Sequence, residues 1–330
     1  MRQEDPRKQP LIRFARFARA AIDRLATTGL FAIIASVIAG ECGRMHWFPD
    51  LFSHFQVQYL LLASVALVWF SVRRMWRAAA VGIVLIICTT FRISPLWLDS
   101  GSRSDTTANL RLMSANVLVG NREYDRVLQL VRMEKPDVVV FQEVSPEWAT
   151  ELSQLSDEYP FAKTVPRKDA FGMSVYSRHP MKRLEVRLVD QVPWLELEIE
   201  VEGQTTRILG AHTLPPVFHK YWSVRNRQLD YVVRTANRAA EDGVPLVVMG
   251  DLNCTPWSPH LRDTISRSGL TSARLGFGLK TSWPVAKPAL WIPIDHILMS
   301  PEVRVREFRA LEDVGSDHRP IIADLHIPTE

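Results

Sequence analysis

The hydrophobic residues of this 330-residue chain follow two different patterns, and the first of them occupies residues 25–93. Three long apolar stretches follow one another there: LATTGLFAIIASVIAGEC, FQVQYLLLASVALVWF and AAAVGIVLIICTTF. A membrane-spanning helix needs about 20 mostly apolar residues, and each stretch reaches that length when flanking residues such as Trp47, Phe48 and Trp76 are included. The pattern predicts three transmembrane helices within residues 25–98.

Two other interpretations of these stretches compete with membrane insertion. The helices of a soluble bundle would carry a polar stripe at helical spacing, and the second and third stretches carry almost none. A cleaved signal peptide would explain only the first stretch, and no small-residue cleavage pattern follows that stretch. Membrane anchoring accounts for all three.

The basic residues around the apolar stretches predict their orientation. Residues 1–24 form a leader with seven Arg and Lys residues, and the second link carries Arg73, Arg74 and Arg77, whereas the first link has only Arg44. Basic segments stay in the cytoplasm, so three spans would carry the rest of the chain across. We therefore expect a multi-pass inner (plasma) membrane protein with an extracytoplasmic C-terminal domain. The leader suits an anionic lipid surface, and a nucleic-acid-binding arm is the competing interpretation.

The second hydrophobic pattern begins after a polar segment, DSGSRSDTTAN, which predicts a linker over residues 99–109. From there on, short apolar runs rich in β-branched residues alternate with helical patterns, and strands outnumber helices. The runs WLELEIEV and RILGAHT flank Glu202 and Gly203 and predict a hairpin, which favours mixed sheets. The overall hydrophobic content of 47% is ample for a core, and residues 110–330 are predicted to form an α/β domain.

Polar side chains of the kinds that bind metals and move protons stand where these apolar runs end. In VPLVVMGDLNCTPWSP, for example, a run apolar enough for a strand buried on both faces leads directly into Gly250 and Asp251. If the strand ends lie along one edge of a sandwich, such side chains converge on one cleft. The candidates are Asn116, Glu143, His212, Asp251, Asn253, Asp295, Asp317 and His318.

Each candidate also has a structural alternative. Asp317 and His318 are compatible with a plain turn, Glu143 with a cap for the helix that follows it, and His212 with a core histidine. His296 is left out because successive side chains of a strand point to opposite faces, which turns it away from Asp295.

The segments SANV, FQEV, GAHT, GDLN, IDHI and GSDHRP occur in this order within residues 110–326. In order and separation they resemble the successive signatures of the endonuclease/exonuclease/phosphatase (DNase I-like) superfamily, here with a bacterial-type membrane anchor. The resemblance implies a four-layered α/β sandwich, with two mixed β-sheets flanked by helices, preceded by the three transmembrane helices. It also implies metal-dependent cleavage of a phosphate ester. The Thr-Leu-Pro-Pro that follows His212 departs from the family pattern and predicts a different local loop.

Hydrolysis of a phosphate ester needs a cation against the phosphate and a base for the attacking water. Glu143 supplies a hard carboxylate oxygen, and Asn116 and Asp317 can complete the surroundings of a largely hydrated Mg²⁺, directly or through water. No Cys and His cluster with zinc spacing occurs in the sequence, so Mg²⁺ is preferred and Mn²⁺ is the alternative.

The remaining candidates are assigned to the reaction itself. His318 is the acid/base group, because an imidazole titrates near neutral pH. The resemblance implies that Asp295 pairs with His318 and fixes its tautomer, as in an Asp-His couple. Asp251 would orient or deprotonate the attacking water, and Asn253 and His212 would hydrogen-bond the phosphate oxygens.

Three functions are compatible with these features. The first is a membrane-tethered phosphohydrolase that acts outside the cytoplasm, with the lipid bilayer as partner and a lipid-linked phosphate as a candidate substrate. The second is an extracytoplasmic nuclease, although the outer domain lacks a Lys/Arg tract like that of the leader. The third is a non-catalytic binding module, which would be expected to lose Glu143 or His318. No obligate protein partner is inferred.

Overall fold

The computed structural model describes residues 9–98 and 101–329. Of the predicted basic leader, residues 1–8 lie outside the described residues, and the remainder is the first part of a long helix. Short 3-10 turns follow the first and the fourth helix of this region. The four helices are α1 (Gln9–Glu41), α2 (Trp47–Phe52), α3 (Gln56–Val72) and α4 (Trp76–Ile93).

Two helices in the described part of the chain are long and apolar enough to cross a membrane, within Arg16–Arg44 and Trp76–Leu96. The 17-residue α3 is also apolar but shorter. The three long helices pack around a small core that includes Leu30, Phe70 and Leu85. Apolar side chains also cover their outer faces, which is unusual for a helix whose outer face meets water.

The sequence suggested that Trp47 and Phe48 lengthen a span. This is wrong, because both residues belong to the separate helix α2. The helix α1 ends at Glu41 and is followed by the turn Cys42–Arg44. Gly43 in that turn lies against Asp50, and a Cβ at this glycine would come within 2.9 Å of the Asp50 side chain. The chain is therefore folded back on itself between α1 and α3.

The remainder of the chain forms two six-stranded sheets packed face to face. The first sheet has the order β11-β12-β1-β2-β4-β3, and the second has the order β5-β6-β7-β8-β10-β9. The strands are β1 (Leu110–Asn116), β2 (Val138–Gln142), β3 (Phe161–Val165), β4 (Met173–Ser177), β5 (Met181–Val189), β6 (Val192–Val201), β7 (Gln204–His212), β8 (Leu246–Asp251), β9 (Thr271–Ser272), β10 (Asp295–Met299), β11 (Arg304–Ala310) and β12 (Ile321–His326). The helices are α5 (Tyr124–Glu134), α6 (Pro146–Leu152), α7 (His219–Glu241) and α8 (Pro259–Ser268).

The layers are held together by apolar side chains that alternate along the strands. Leu112 and Val140 of the first sheet share a core with Ile208 and Val248 of the second sheet. The opposite face of the first sheet is covered by α5 and α6, and that of the second sheet by α7 and α8. Parallel and antiparallel pairs occur in both sheets, and β6 and β7 form the predicted hairpin. The predicted sandwich of two mixed sheets flanked by helices is confirmed.

The predicted linker is attached to the sandwich over part of its length. Asp99 and Ser100 lie outside the described residues, but Arg103 forms a β-bridge with Val305 of β11. The guanidinium of Arg103 also lies 5.2 Å from the centre of the Phe277 ring. The segment is therefore held along an edge of the first sheet.

Candidate active site

The register of the second sheet places three predicted site residues side by side. His212 at the end of β7 pairs with Asp251 at the end of the parallel strand β8, and Asp251 pairs with Asp295 at the start of the antiparallel strand β10. All three side chains are buried. The Nε2 atom of His212 lies 3.6 Å from Oδ2 of Asp251.

The backbone around Asp251 has two unusual conformations that serve this arrangement. Gly250 has φ of 144°, and a Cβ there would lie 1.8 Å from the carbonyl oxygen of Ala211, so only glycine fits. Asn253 has φ of 48°, in the left-handed region that costs a non-glycine residue energy. Its backbone N–H donates to Oδ1 of Asp251 at 2.8 Å, and its side-chain Nδ2 donates to the Thr213 carbonyl at 2.8 Å. The turn fixes the Asp251 carboxylate.

The first sheet contributes Asn116 and Glu143. Asn116 ends β1, and its Nδ2 donates to Oε1 of Glu143 at 3.0 Å and approaches Oδ2 of Asp251 at 3.4 Å. Glu143 follows β2 with φ of 62° and accepts a second bond from the backbone N–H of Val119 at 3.1 Å. Asn116 thus connects carboxylates from the two sheets. Its amide nitrogen faces both of them, while its oxygen accepts from the Leu118 N–H at 3.1 Å.

Asp317 and His318 come from the loop before β12. The hydroxyl of Ser316 donates to the carbonyl of Asn116 at 2.7 Å and accepts from the backbone N–H of His318 at 3.1 Å, which ties this loop to β1. The ring of His318 then spans two carboxylates. Its Nδ1 lies 2.8 Å from Oδ2 of Asp295, and its Nε2 lies 3.7 Å from Oδ2 of Asp251.

These carboxylates make His318 an unusually strong base. Burial by itself would lower the pKa of His318, but Asp295 and Asp251 outweigh it and raise the pKa to about 10. An ion pair at about 4 Å is worth roughly 4 kcal/mol at an effective dielectric near 20, which is comparable to the free energy of this pKa shift. For Asp295, burial opposes the His318 imidazolium and the hydrogen bond from it, and the net effect lowers the pKa. Burial raises the pKa of Asp251 to about 8 although His318 counteracts it.

Two further groups have shifted pKa values. Burial lowers the pKa of His212 to about 3, so its ring is neutral at neutral pH. The Nδ1 atom of this ring is buried and has no hydrogen-bond partner. Burial raises the pKa of Glu143, against the hydrogen bonds from Asn116 and Val119, and the charge of Asp317 raises it further. A cation near Glu143 and Asp317 would relieve this repulsion.

The site residues surround one cleft of about 470 Å³. Asn116 and Asp295 lie directly behind this cleft and hydrogen-bond to side chains that line it. The structure thus brings all eight predicted residues together, as the strand-end pattern requires, and their catalytic roles stay predictions. The six that line the cleft are Glu143, His212, Asp251, Asn253, Asp317 and His318.

The donor set of the cleft fits a hard divalent cation. Asp317 Oδ1 is buried without a hydrogen-bond partner, although Oδ2 accepts from the Trp283 indole at 2.9 Å. This free oxygen and the Glu143 carboxylate are the oxygen ligands that Mg²⁺ or Mn²⁺ prefers. Asp251, Asp295 and His318 also offer ligand atoms within 4.8 Å of one another. In that second cluster, however, the His318 ring already pairs with both carboxylates.

Some residues of the cleft were not anticipated from the sequence. Trp283 lines the cleft and donates its indole N–H to Asp317. Leu51, His54 and Phe55 reach the cleft from the segment between α1 and α3. The tryptophan could have been found from its position in the Thr-Ser-Trp segment before IDHI, whereas no local signal marks the other three.

A sequence profile of the Endonuclease/Exonuclease/phosphatase family matches residues 113–318, which run from β1 to the candidate acid/base histidine. The chain belongs to this family. Members of the endonuclease/exonuclease/phosphatase family are metal-dependent hydrolases of phosphoric ester bonds, and this chain is such an enzyme. Comparison with curated protein sequences finds no significant match.

Solved structures of the family have the same fold. A humanized D. rerio TDP2 with 14 mutations is 18% identical, with a TM-score of 0.56 over 66% of this chain and 99% of that one. An endonuclease/exonuclease/phosphatase from Beutenbergia cavernae is 21% identical, with a TM-score of 0.53 over 67% and 72% of the two chains. The Bacteroides thetaiotaomicron mannosyl-6-phosphatase Bt3783 is 15% identical, with a TM-score of 0.53 over 66% and 100%. At these identities the likeness establishes the fold.

Proposed function

We propose that the chain is a membrane-tethered, Mg²⁺-dependent phosphoric ester hydrolase that acts on lipid-linked phosphate outside the cytoplasm. The observation that carries the hydrolytic part is the His318 ring, which lies between Asp295 and Asp251 in a cleft that also exposes Glu143 and Asp317. These side chains combine a proton donor, a base and ligands for a hard cation within one cavity.

The residues divide the work of hydrolysis among them. Asp295 accepts the hydrogen bond from Nδ1 of His318 and keeps Nε2 directed into the cleft. His318 in its charged form donates a hydrogen bond to a phosphate oxygen or a proton to the leaving oxygen. Asp251, whose Oδ2 lies 3.7 Å from Nε2 of His318, is the base for water, and the raised pKa that burial gives it makes its ionised form a stronger base. Glu143 and Asp317 would hold Mg²⁺, which when bound offsets negative charge on the phosphate.

His212 and Asn253 complete the polar side of the cleft. His212 is neutral, so it can donate one hydrogen bond to a phosphate oxygen without adding charge. In the present arrangement the Asn253 amide is engaged with the Thr213 carbonyl and Asp251. It could donate to a phosphate only by exchanging one of these bonds, so its first effect is to hold Asp251 in place.

The membrane part of the proposal includes α3 as a third span in addition to the two longer helices. With all three inserted, the basic ends of α1 and the α3–α4 link stay in the cytoplasm. The sandwich then lies on the outer surface of the inner (plasma) membrane. The proposal is supported by the exposed apolar side chains of α3, including Leu61 and Val65, which are 61% and 69% exposed.

A substrate screen with the full chain in detergent micelles tests the function. Phosphate release and product formation are measured with lipid pyrophosphates, phospholipids and nucleic acids, in Mg²⁺, for the wild type and His318→Ala. We expect turnover of a lipid phosphate that the variant loses. Turnover of nucleic acid alone would instead identify a nuclease, and no turnover of any ester would favour the binding module. Equal rates in the two proteins would refute the role of His318.

A further inference from the structure

The segment between α1 and α3, residues 42–55, is fixed to the catalytic sandwich. We refer to it as the α1–α3 connection. Asp50 in this segment forms an ion pair with Arg225 of α7, and both side chains are completely buried. The His54 carbonyl accepts from the indole N–H of Trp257 at 2.9 Å, and His54 Nδ1 lies 3.2 Å from the Thr255 hydroxyl. The connection is therefore packed against the sandwich as a fixed element.

The α1–α3 connection also supplies one side of the catalytic cleft. Leu51, His54 and Phe55 line the cleft together with the carboxylates and histidines already described. Burial lowers the pKa of His54 to about 4, so this side carries no charge at neutral pH. The cleft is accordingly polar where the phosphate would be cleaved and apolar where the connection closes it.

Residues of the sandwich continue this apolar side. Phe171 lines the cleft and packs beside His212, with 5.4 Å between the ring centres. The loop after β7, in which the sequence departs from the family pattern, contributes Pro215, Pro216 and Val217. An apolar surface of this extent has no use in binding a phosphate group, which needs charged and hydrogen-bonding partners.

Apolar and aromatic side chains continue beyond the cleft, next to Val217. Val217 and Phe218 are 43% and 63% exposed, and Phe48 of α2 is 52% exposed. The Phe218 ring lies 6.4 Å from that of Trp47, so the loop after β7 and the α1–α3 connection meet at the rim. Apolar surface thus extends from Val217 and Leu51 in the cleft to Phe218 and to Trp47 and Phe48 of α2.

We propose that the α1–α3 connection and the loop after β7 form a specificity wall, which selects phosphate esters carrying an extended apolar chain beside the phosphate. The inference rests on the proposed hydrolytic function and narrows its substrate class. The phosphate occupies the polar side of the cleft, the first carbons of the chain lie against Leu51, Phe55 and Val217, and the rest of the chain leaves along the rim.

The test compares two alkyl esters that differ only in chain length, butyl phosphate and dodecyl phosphate, each supplied as the monoester and as the methyl diester. Rates are measured with the full chain in detergent, for the wild type, Leu51→Ser and Val217→Ser. The exposed Leu188→Ser, on β5 and outside the cleft, is the matched control. Melting temperatures of all four proteins establish that they are folded, and Val217 is exposed enough for its variant to fold if Leu51→Ser does not.

We expect the wild type to prefer the dodecyl ester, and the ratio of kcat/KM for dodecyl over butyl to fall by about tenfold in each wall variant. The fall should come mainly from KM for the dodecyl ester, and Leu188→Ser should keep the wild-type ratio. A wild type that hydrolyses both esters equally, or wall variants that keep the wild-type ratio, would overturn the specificity wall and leave the hydrolase intact. A wild type that hydrolyses none of the four esters would overturn both.

Discussion

Replacement of Asp50 by Asn should destabilise the protein far more than the same change at an exposed position of the same interface. The substitution leaves the Arg225 guanidinium completely buried without its carboxylate, because both side chains have no exposed surface. Removal of one partner from a buried ion pair costs about 3–5 kcal/mol. For a domain of about 150–250 residues, each kcal/mol lowers the melting temperature by roughly 2–4 °C. We therefore expect Asp50→Asn to lower the melting temperature by about 6–20 °C.

The matched control is Asp263→Asn, which removes the ion pair between Asp263 and Arg44, whose side chains are 41% and 47% exposed. An exposed pair contributes at most about 1 kcal/mol, so the control should shift the melting temperature by about 4 °C or less. Thermal melts of the full chain in detergent, followed by tryptophan fluorescence, measure both shifts. The double variant Asp50→Leu/Arg225→Met should recover most of the loss, because no buried charge remains. Equal melts for Asp50→Asn and Asp263→Asn would refute the reasoning.

Four further outcomes follow from the site and the helices. His318→Ala should lower kcat by about 10²–10⁴, and a steady-state assay that finds less than tenfold would contradict its acid/base role. A chelator should abolish turnover and Mg²⁺ restore it, and Glu143→Gln should raise the Mg²⁺ concentration needed for half-maximal rate; an unchanged requirement would exclude Glu143 as a ligand. The pKa of His318 is raised from 6.5 to about 10, so its stabilising effect is complete below pH 6.5 and lost as pH rises to about 10. Melts of the metal-free wild type should therefore show stability falling over this range, and a melting temperature that does not change between pH 6.5 and 10 would argue against the ion pairs. An alkaline phosphatase fused after the last residue should be active if the sandwich is extracytoplasmic, and an active cytoplasmic reporter would reverse the orientation.

Local sequence patterns predict much of the sandwich. The hairpin of β6 and β7 follows from the alternation in WLELEIEV and from the turn residues Glu202 and Gly203 that precede the second apolar run. The site residues could be found because a polar side chain directly after a buried strand, as at Asp251, is a local feature of the sequence. Their convergence depends on strand order, and only the six family segments taken together indicated that order.

The contacts that local patterns could not reveal join residues far apart in the chain. Asp50 and Arg225 are 175 positions apart. Arg225 belongs to a segment that alone resembles a solvated helix face, and Asp50 lies in a short apolar segment where an acidic residue is compatible with an ordinary turn. For the same reason the sequence did not indicate that Leu51 and Phe55 line the cleft, since their neighbours Trp47 and Phe48 suggested the end of a span. Composition alone is also a poor guide to whether a helix spans a membrane, since α3 is as apolar as a span but has only 17 residues.

The two sheets contribute different parts of one reaction centre. Glu143 belongs to the first sheet, Asp251 and Asp295 belong to the second, and His318 arrives with the segment that returns to the first sheet. Neither sheet alone carries all of the proposed catalytic and metal-binding residues. A break in the chain between Glu143 and His318 would separate the proposed metal ligand from the proposed acid. The proposed activity therefore requires the two sheets to be joined, and conditions that separate them should abolish turnover before either sheet unfolds.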